Sequence, residues 1–208
     1  MDLADLKRVI GWNDHDVAAD ELPKKMKAVV YKAKGKIEYS PDLIDVPKPG
    51  KGELLIKVEA AALHPSDTYF TRGFYNGDYK YPLVPGQEGS GTVIAAGEGR
   101  RAQYLLGARV AFVKKVEKPG QYTAGGSYAE YAVTDAYLAV RLLDEVSWEQ
   151  GACSIANPLS AVGLLDKCKE YNAWAVIQTG AASTMGRLMI RLFKENDIKV
   201  INVVRREE

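Results

Sequence analysis

Gln178-Thr179-Gly180-Ala181-Ala182-Ser183-Thr184-Met185-Gly186-Arg187 is the stretch on which the reading of this chain turns. Ala173-Trp174-Ala175-Val176-Ile177 before it is short, apolar and rich in strand formers. Leu188-Met189-Ile190-Arg191-Leu192-Phe193-Lys194 after it is apolar at helical spacing. Ile198-Lys199-Val200-Ile201-Asn202-Val203-Val204 then reads as a second strand, closed by Arg205-Arg206. Strand, small-residue turn, helix and parallel strand make the βαβ unit that binds a dinucleotide pyrophosphate. The turn must be small because N–H groups at the helix N-terminus have to approach the phosphates closely. On this reading Gly180, Ala181, Ala182, Ser183, Thr184, Met185 and Gly186 line the cofactor. The three glycine positions of the fingerprint fall on Ala181, Ser183 and Gly186, so only the third is glycine.

Nucleotide choice is set at the end of the second strand. An NAD site places Asp or Glu there, about 20 residues after the turn, for the ribose 2′-hydroxyl. This chain has Arg205 and Arg206. A guanidinium paired with a 2′-phosphate is worth roughly 1.5–3 kcal/mol, which favours NADPH. A solvated basic pair closing a strand is the competing account.

Upstream the pattern is different. From Met26 the chain runs in short strands: Lys27 to Tyr31, Lys36 to Tyr39, Glu53 to Ala62, Gly89 to Ala96, Ala108 to Val113 and Ser127 to Val133. Glu53 to Ala62 alternates, with Leu54, Ile56, Val58 and Ala60 on one face and Leu55, Lys57 and Glu59 on the other. Short strands between Gly and Pro turns indicate a compact β barrel or sandwich. Helical spacing takes over near Ser147, and Pro158 to Lys167 reads as the helix leading into the opening strand. The expected layout is an N-terminal extension over 1–25, a β-rich domain over 26–150, and the start of an α/β dinucleotide-binding domain over 151–208. Leu3, Leu6 and Ile10 share one face of a helix in the extension, which either packs on its own domain or docks a partner.

With 28 basic and 27 acidic residues among 208, net charge +1, nucleic acid is excluded as a main partner. The apolar runs are strand-sized, below the roughly 20 residues of a membrane span. Cys153 and Cys168 form neither a disulfide framework nor a metal pattern. Asp2 and Asp5 stand where an address sequence would be basic or acid-poor, so the expected compartment is the cytoplasm, with the mitochondrial matrix as the alternative.

Three further stretches carry a resemblance: Ala62-Leu63-His64-Pro65-Ser66-Asp67, Arg72-Gly73-Phe74-Tyr75, and Pro85-Gly86-Gln87-Glu88-Gly89-Ser90-Gly91-Thr92-Val93. With the βαβ unit downstream, they resemble the medium-chain dehydrogenase/reductase superfamily over residues 26–208. The resemblance implies a GroES-like β barrel followed by the first βαβ part of a Rossmann domain. The zinc alcohol dehydrogenases of that superfamily have a histidine ligand where this chain has Gln87, and their cysteine ligand gives way to His64-Pro65-Ser66-Asp67. Residues 97–125 lack the four cysteines of their structural zinc lobe. Catalytic zinc needs three protein ligands, and only His64 and Glu88 are nearby, so no metal is expected.

The resemblance narrows to the zinc-free quinone and enoyl reductase branch, in which Asn-Pro-x-Asp stands where His64-Pro65-Ser66-Asp67 is. It implies Tyr75 as proton donor and Asn157 and Ser160 near the nicotinamide, while His64, the other catalytic candidate, reads as a hydrogen-bonding pocket residue or a satisfied core histidine. It likens Ile201 to Arg205 to the strand whose arginine reads NADPH. Packing of Tyr69, Phe70, Phe74, Tyr79 and Tyr81 around Tyr75 is the plainer account of that loop. The implied activity is reduction of an enone, quinone or enoyl thioester, with a homodimer expected for the full-length protein. A doubly wound domain has about six parallel strands and this chain supplies two, so a fragment of a longer protein is expected. Val176, Ile177, Ile201, Val203 and Val204 are expected to lack cover. The alternative is a non-catalytic structural or assembly subunit of the same fold.

Overall fold

The computed structural model describes residues 22–33, 36–72, 74, 81–115 and 126–205, and it divides into two compact units meeting between Cys153 and Ser154. Most of the N-terminal extension, together with Tyr75 and Arg206, lies outside the described residues.

The first unit is β-rich, as its Gly- and Pro-punctuated strands demand. β1 (Lys25–Ala33) and β2 (Lys36–Asp45) form an antiparallel ribbon. β3 (Glu53–Ala61) leads to a short helix, α1 (Pro65–Thr71), and then to β4 (Glu88–Ala96). Helix α2 (Arg100–Leu105), β5 (Arg109–Val113), β6 (Tyr131–Asp135), β7 (Ala139–Arg141) and helix α3 (Trp148–Ala152) complete it. Five strands pair in the order β6-β3-β4-β5-β7, every pair antiparallel. Single bridges from Ala28 to Ala129 and from Tyr31 to Leu83 tie β1 to the segments around them.

Met26, Ala28 and Val30 alternate inward on β1 and pack with Val84, as period-two patterning requires. Leu54, Ile56, Val93, Leu105, Val110 and Phe112 form the main core. β3 follows the expected alternation: Leu54 and Ile56 enter the main core with Val58 packed against it, whereas Leu55 is buried outside that cluster. α3 begins where Ser147 Oγ accepts from Gln150 N at 3.2 Å and Gln150 Oε1 accepts from Ser147 N at 2.9 Å, a reciprocal cap.

The second unit contains helix α4 (Ala156–Glu170), β8 (Ala175–Thr179), helix α5 (Thr184–Lys194) and β9 (Lys199–Val203). β8 and β9 pair in parallel from Ala175–Lys199 to Thr179–Val203. Leu165 on α4, Phe193 on α5 and Ile198 bury together, with Val176, Met189 and Val200 against them. Val176 is therefore half-covered by its own unit's helices, contrary to expectation. Ile177 (71% exposed), Ile201, Val203 and Val204 are exposed among the described residues, as expected for parallel strands lacking full cover.

Candidate active site

His64 stands at the start of α1, in extended conformation (φ −104°, ψ 148°), with Pro65 following it into the helix. Pro at the first helical position is favourable because its missing N–H is one the helix leaves unsatisfied. Asp67 closes the start: its Oδ2 accepts from His64 N–H at 2.8 Å, and its own N–H donates to His64 O at 2.9 Å.

The imidazole Nε2 of His64 lies 2.8 Å from Glu88 Oε1. Glu88 opens β4 and its side chain is 1% exposed, whereas that of His64 is 14% exposed. A buried carboxylate needs a partner, and facing it Nε2 carries the hydrogen. Glu88 is further held by its main chain, whose carbonyl accepts from Ser127 Oγ at 2.7 Å and from Ala62 N–H at 3.3 Å.

Behind the dyad, the Tyr128 hydroxyl lies 2.8 Å from Asp67 Oδ2 and 3.0 Å from the Ala62 carbonyl. The phenol has one hydrogen, and the carboxylate is the stronger acceptor. Burial, then the hydrogen bond to Asp67 and its charge, push the Tyr128 phenol well above the ordinary range. Tyr31, buried nearby, is pushed up to about 12 by burial first and the Asp67 charge second. Burial, then the Glu88 charge, raises the Cys153 thiol above its ordinary value. Phe70 stacks on Tyr31 with ring centroids 5.6 Å apart, and Leu63, Tyr69 and Phe74 present exposed apolar surface around α1.

Residues 126–128 reach this site only because two glycines permit close approach. Gly86 has φ +102°, and a Cβ on it would sit 2.4 Å from Ser127 Oγ. A Cβ on Gly126 would sit 1.9 Å from the Pro85 carbonyl.

In the second unit, the Gly180 to Gly186 turn joins β8 to α5. Gly180 has φ +64°, and Ser183 caps the helix, its Oγ accepting from Gly186 N–H at 3.0 Å. The cap satisfies one first-turn N–H, and Thr184 and Met185 contribute further donors with no intrahelical acceptor. A Cβ on Gly186 would sit 2.5 Å from the Ala181 carbonyl, so the third fingerprint position must be glycine. Gln178 Nε2 donates to Gly186 O at 3.1 Å and Asn202 Oδ1 at 2.7 Å, which leaves its buried Oε1 without a partner among the described residues. A tight turn, an N-terminal cradle and an orphaned acceptor fit a phosphate-bearing ligand with hydroxyl donors.

Gly180, Ala182, Ser183 and Thr184 are exposed, and Ala181 is buried beneath them. Arg205 is exposed just beyond β9. Asn157 and Ser160 lie in the first turn of α4, where Ser160 Oγ donates to Ala156 O at 2.7 Å within its own helix. No hydrogen bond joins either to the turn among the described residues. Among the described residues no three His, Cys, Asp or Glu side chains converge as a metal site requires. Sequence reasoning took Glu88 only as a zinc candidate and missed Tyr128, which lies 61 positions from Asp67 and carries no local signal.

Residues 50–144 match the family of the alcohol dehydrogenase GroES-like domain. A zinc-type alcohol dehydrogenase-like protein of Schizosaccharomyces pombe is 31% identical over 163 residues, covering 78% of this chain and 47% of that protein. A trans-enoyl reductase of Gibberella fujikuroi is 29% identical over 163 residues, covering 74% of this chain and 46% of that protein. A mycobacterial protein solved in complex with NADPH aligns with a TM-score of 0.72 at 28% identity, over 88% of this chain and 53% of that one. The chain thus spans about half the length of the curated relatives it matches. The GroES-like match falls in the β-rich unit, and over most of its length the chain is similar to oxidoreductases of the medium-chain dehydrogenase/reductase superfamily.

Proposed function

We propose that the full-length protein reduces an activated C=C bond, in an enone, quinone or enoyl thioester, by hydride transfer from NADPH and without zinc. The observation that carries this reading is the His64–Glu88 pair, a part-exposed imidazole hydrogen-bonded at 2.8 Å to a sealed carboxylate. Reduction of such an acceptor puts negative charge on the carbonyl oxygen, and that charge must be met by a proton or a positioned donor. Bound at the turn, NADPH would supply the hydride to the β-carbon.

The chain's own residues supply the rest. Glu88 holds the imidazole in orientation through the hydrogen bond at Nε2. His64, the more exposed partner, is the one that exchanges a proton with acceptor or solvent. The exposed apolar side chains Leu63, Tyr69 and Phe74 suit an apolar acceptor beside it. Gln87, standing where zinc members have a ligand histidine, supports the zinc-free route. Tyr75 remains the second candidate donor. The α5 N-terminus and Gly180 to Gly186 bind the pyrophosphate, Arg205 and Arg206 the 2′-phosphate, and Asn157 and Ser160 the nicotinamide side.

Absorbance at 340 nm tests this on the full-length protein with each acceptor class, after dialysis against a chelator. The expected result is saturable NADPH oxidation, with His64→Ala lowering kcat about 100-fold or more. Absence of turnover with all three classes, or normal turnover in His64→Ala, overturns the assignment. Tyr75→Phe then shows whether the phenol shares the proton transfer.

A further inference from the structure

We propose that Tyr128, acting through Asp67, is the positioning residue that holds His64 against Glu88. His64 and Glu88 come from different elements, the start of α1 and the start of β4, which are tied where the Ala62 N–H, two residues before the imidazole, donates to the Glu88 carbonyl at 3.3 Å. Consecutive residues of one segment hold both. Ser127 Oγ donates to the Glu88 carbonyl at 2.7 Å, which fixes the β4 side. The Tyr128 hydroxyl reaches Asp67 Oδ2 at 2.8 Å, and that same oxygen accepts from the main-chain N–H of His64 at 2.8 Å.

The chain of contacts is short and stiff. Asp67 is buried, and a carboxylate oxygen carrying two donors at this distance has little freedom to swing. Tyr128 is itself immobilised by main-chain bonds on both sides, its N–H to Pro85 O at 3.1 Å and its carbonyl from Val29 N–H at 2.8 Å. Gly126 before it is pressed against Pro85, so the segment cannot drift. The phenol, raised by burial and by Asp67, stays protonated and keeps donating at any working pH. It therefore acts as a strut and not as a proton source. Without the hydroxyl, Asp67 loses the anchor from outside its own helix, and the main chain that carries the imidazole keeps only the Ala62 bond as its reference to Glu88.

The geometric claim stands independently of turnover, whereas its effect on rate rests on the reductase reading above. A His64 Nε2–H proton signal is identified by its loss in His64→Gln, and among the 208 residues only His15 is a second histidine. Tyr128→Phe is expected to move or broaden that signal and to lower kcat about tenfold while the KM for NADPH is unchanged. Asp67→Ala should do at least as much, and the double variant no more than Asp67→Ala alone, because one residue acts through the other. Asp67→Asn, which keeps an oxygen for both donors, should retain the signal. A core variant away from the site, Val110→Ala, should lose stability without moving the signal or kcat. An unchanged signal and rate in Tyr128→Phe overturns the proposal, as do multiplying effects in the double variant. A signal that moves in Tyr128→Phe, with a wild-type protein that oxidises no NADPH, sinks the reductase reading and leaves the strut standing.

Discussion

Two glycine-to-alanine substitutions in neighbouring helices should have opposite signs. Gly163 lies inside α4, and a Cβ added there meets nothing within 4 Å. Alanine at an unstrained helix position restricts the unfolded chain and has better helix propensity, which stabilises by up to about 1 kcal/mol. Gly186 has the same propensity argument in its favour, and it loses to geometry. Its Cβ would lie 2.5 Å from the Ala181 carbonyl oxygen and 2.7 Å from Ala181 Cα, against the 3.4 Å at which ordinary contact begins. The obstacle is main chain, so turn or helix must move by about 0.9 Å to restore 3.4 Å. Movement at Gly186 also stretches the cap bond from Gly186 N–H to Ser183 Oγ and the bond from Gln178 Nε2 to Gly186 O. Overpacking costs about 1–3 kcal/mol and a weakened cap about 1 kcal/mol, so Gly186→Ala should destabilise by about 1–3 kcal/mol net of propensity. On the proposed function the same displacement moves the N–H groups that would face the phosphates, and NADPH affinity should fall at least about tenfold. Urea denaturation followed by far-ultraviolet circular dichroism gives the first quantity and fluorescence titration of NADPH the second. A Gly186→Ala protein as stable as Gly163→Ala, with wild-type NADPH affinity, would show that the close packing of turn on helix is wrong.

Arg205→Ala should weaken NADPH binding about 10- to 100-fold and leave NADH binding nearly unchanged, as isothermal titration of both nucleotides would show; equal losses for the two would exclude a 2′-phosphate contact. Glu53 is half-buried, and burial acts to raise its carboxyl. The hydrogen bond and charge of Lys115 and the Gly50 N–H at 2.8 Å outweigh burial, so its pKa sits below the ordinary 4.5. A carboxyl depressed in the folded state adds stability above its unfolded pKa and loses it as pH falls through the folded value. The gap in urea midpoint between wild type and Glu53→Gln should therefore be full at pH 7 and close on acidification below about pH 4; a pH-independent gap would contradict it. Cys153 should react slowly with a disulfide reagent at pH 8, since burial and the Glu88 charge both raise its thiol, and Glu88→Gln should speed the reaction severalfold.

The elements legible in the sequence are those whose signal is local. Alternation on β1, the Gly- and Pro-bounded strands, and the switch to helical spacing at α5 each follow from a repeat within a dozen residues. The helix α1 was not legible. It is seven residues long, includes Tyr69, Phe70 and Thr71, and exists because His64 and Asp67 cap each other in front of Pro65. α2 likewise follows Gly99 with no amphipathic run to announce it. Leu55 is buried although it lies outside the cluster of Leu54 and Ile56, and cover on that second face comes from elements that its own strand does not announce. Val176 was expected bare because the tally of strands ignored the two helices on its inner side, which bring Leu165 and Phe193 over it.

The candidate site shows the same division at finer scale. The turn from Gly180 to Gly186 is contiguous, and its demand for small residues is a demand on neighbours, so it was readable even with two of three glycines replaced. His64 and Glu88 are 24 positions apart, and their pairing depends on where β4 begins relative to α1. What the sequence offered there was a substitution, Gln87 and His64 in places that elsewhere hold metal ligands. The structure supplies the consequence. An imidazole takes up the buried carboxylate, and Asp67, which looked like a letter of the motif, ties it to Tyr128. A buried acid must be answered by a donor, whichever donor the position provides, and that requirement is physical even though the identity of the donor lies far along the chain. The polar network is thus better evidence about this chain than the motif it departs from, because it is satisfied by the residues that are actually present.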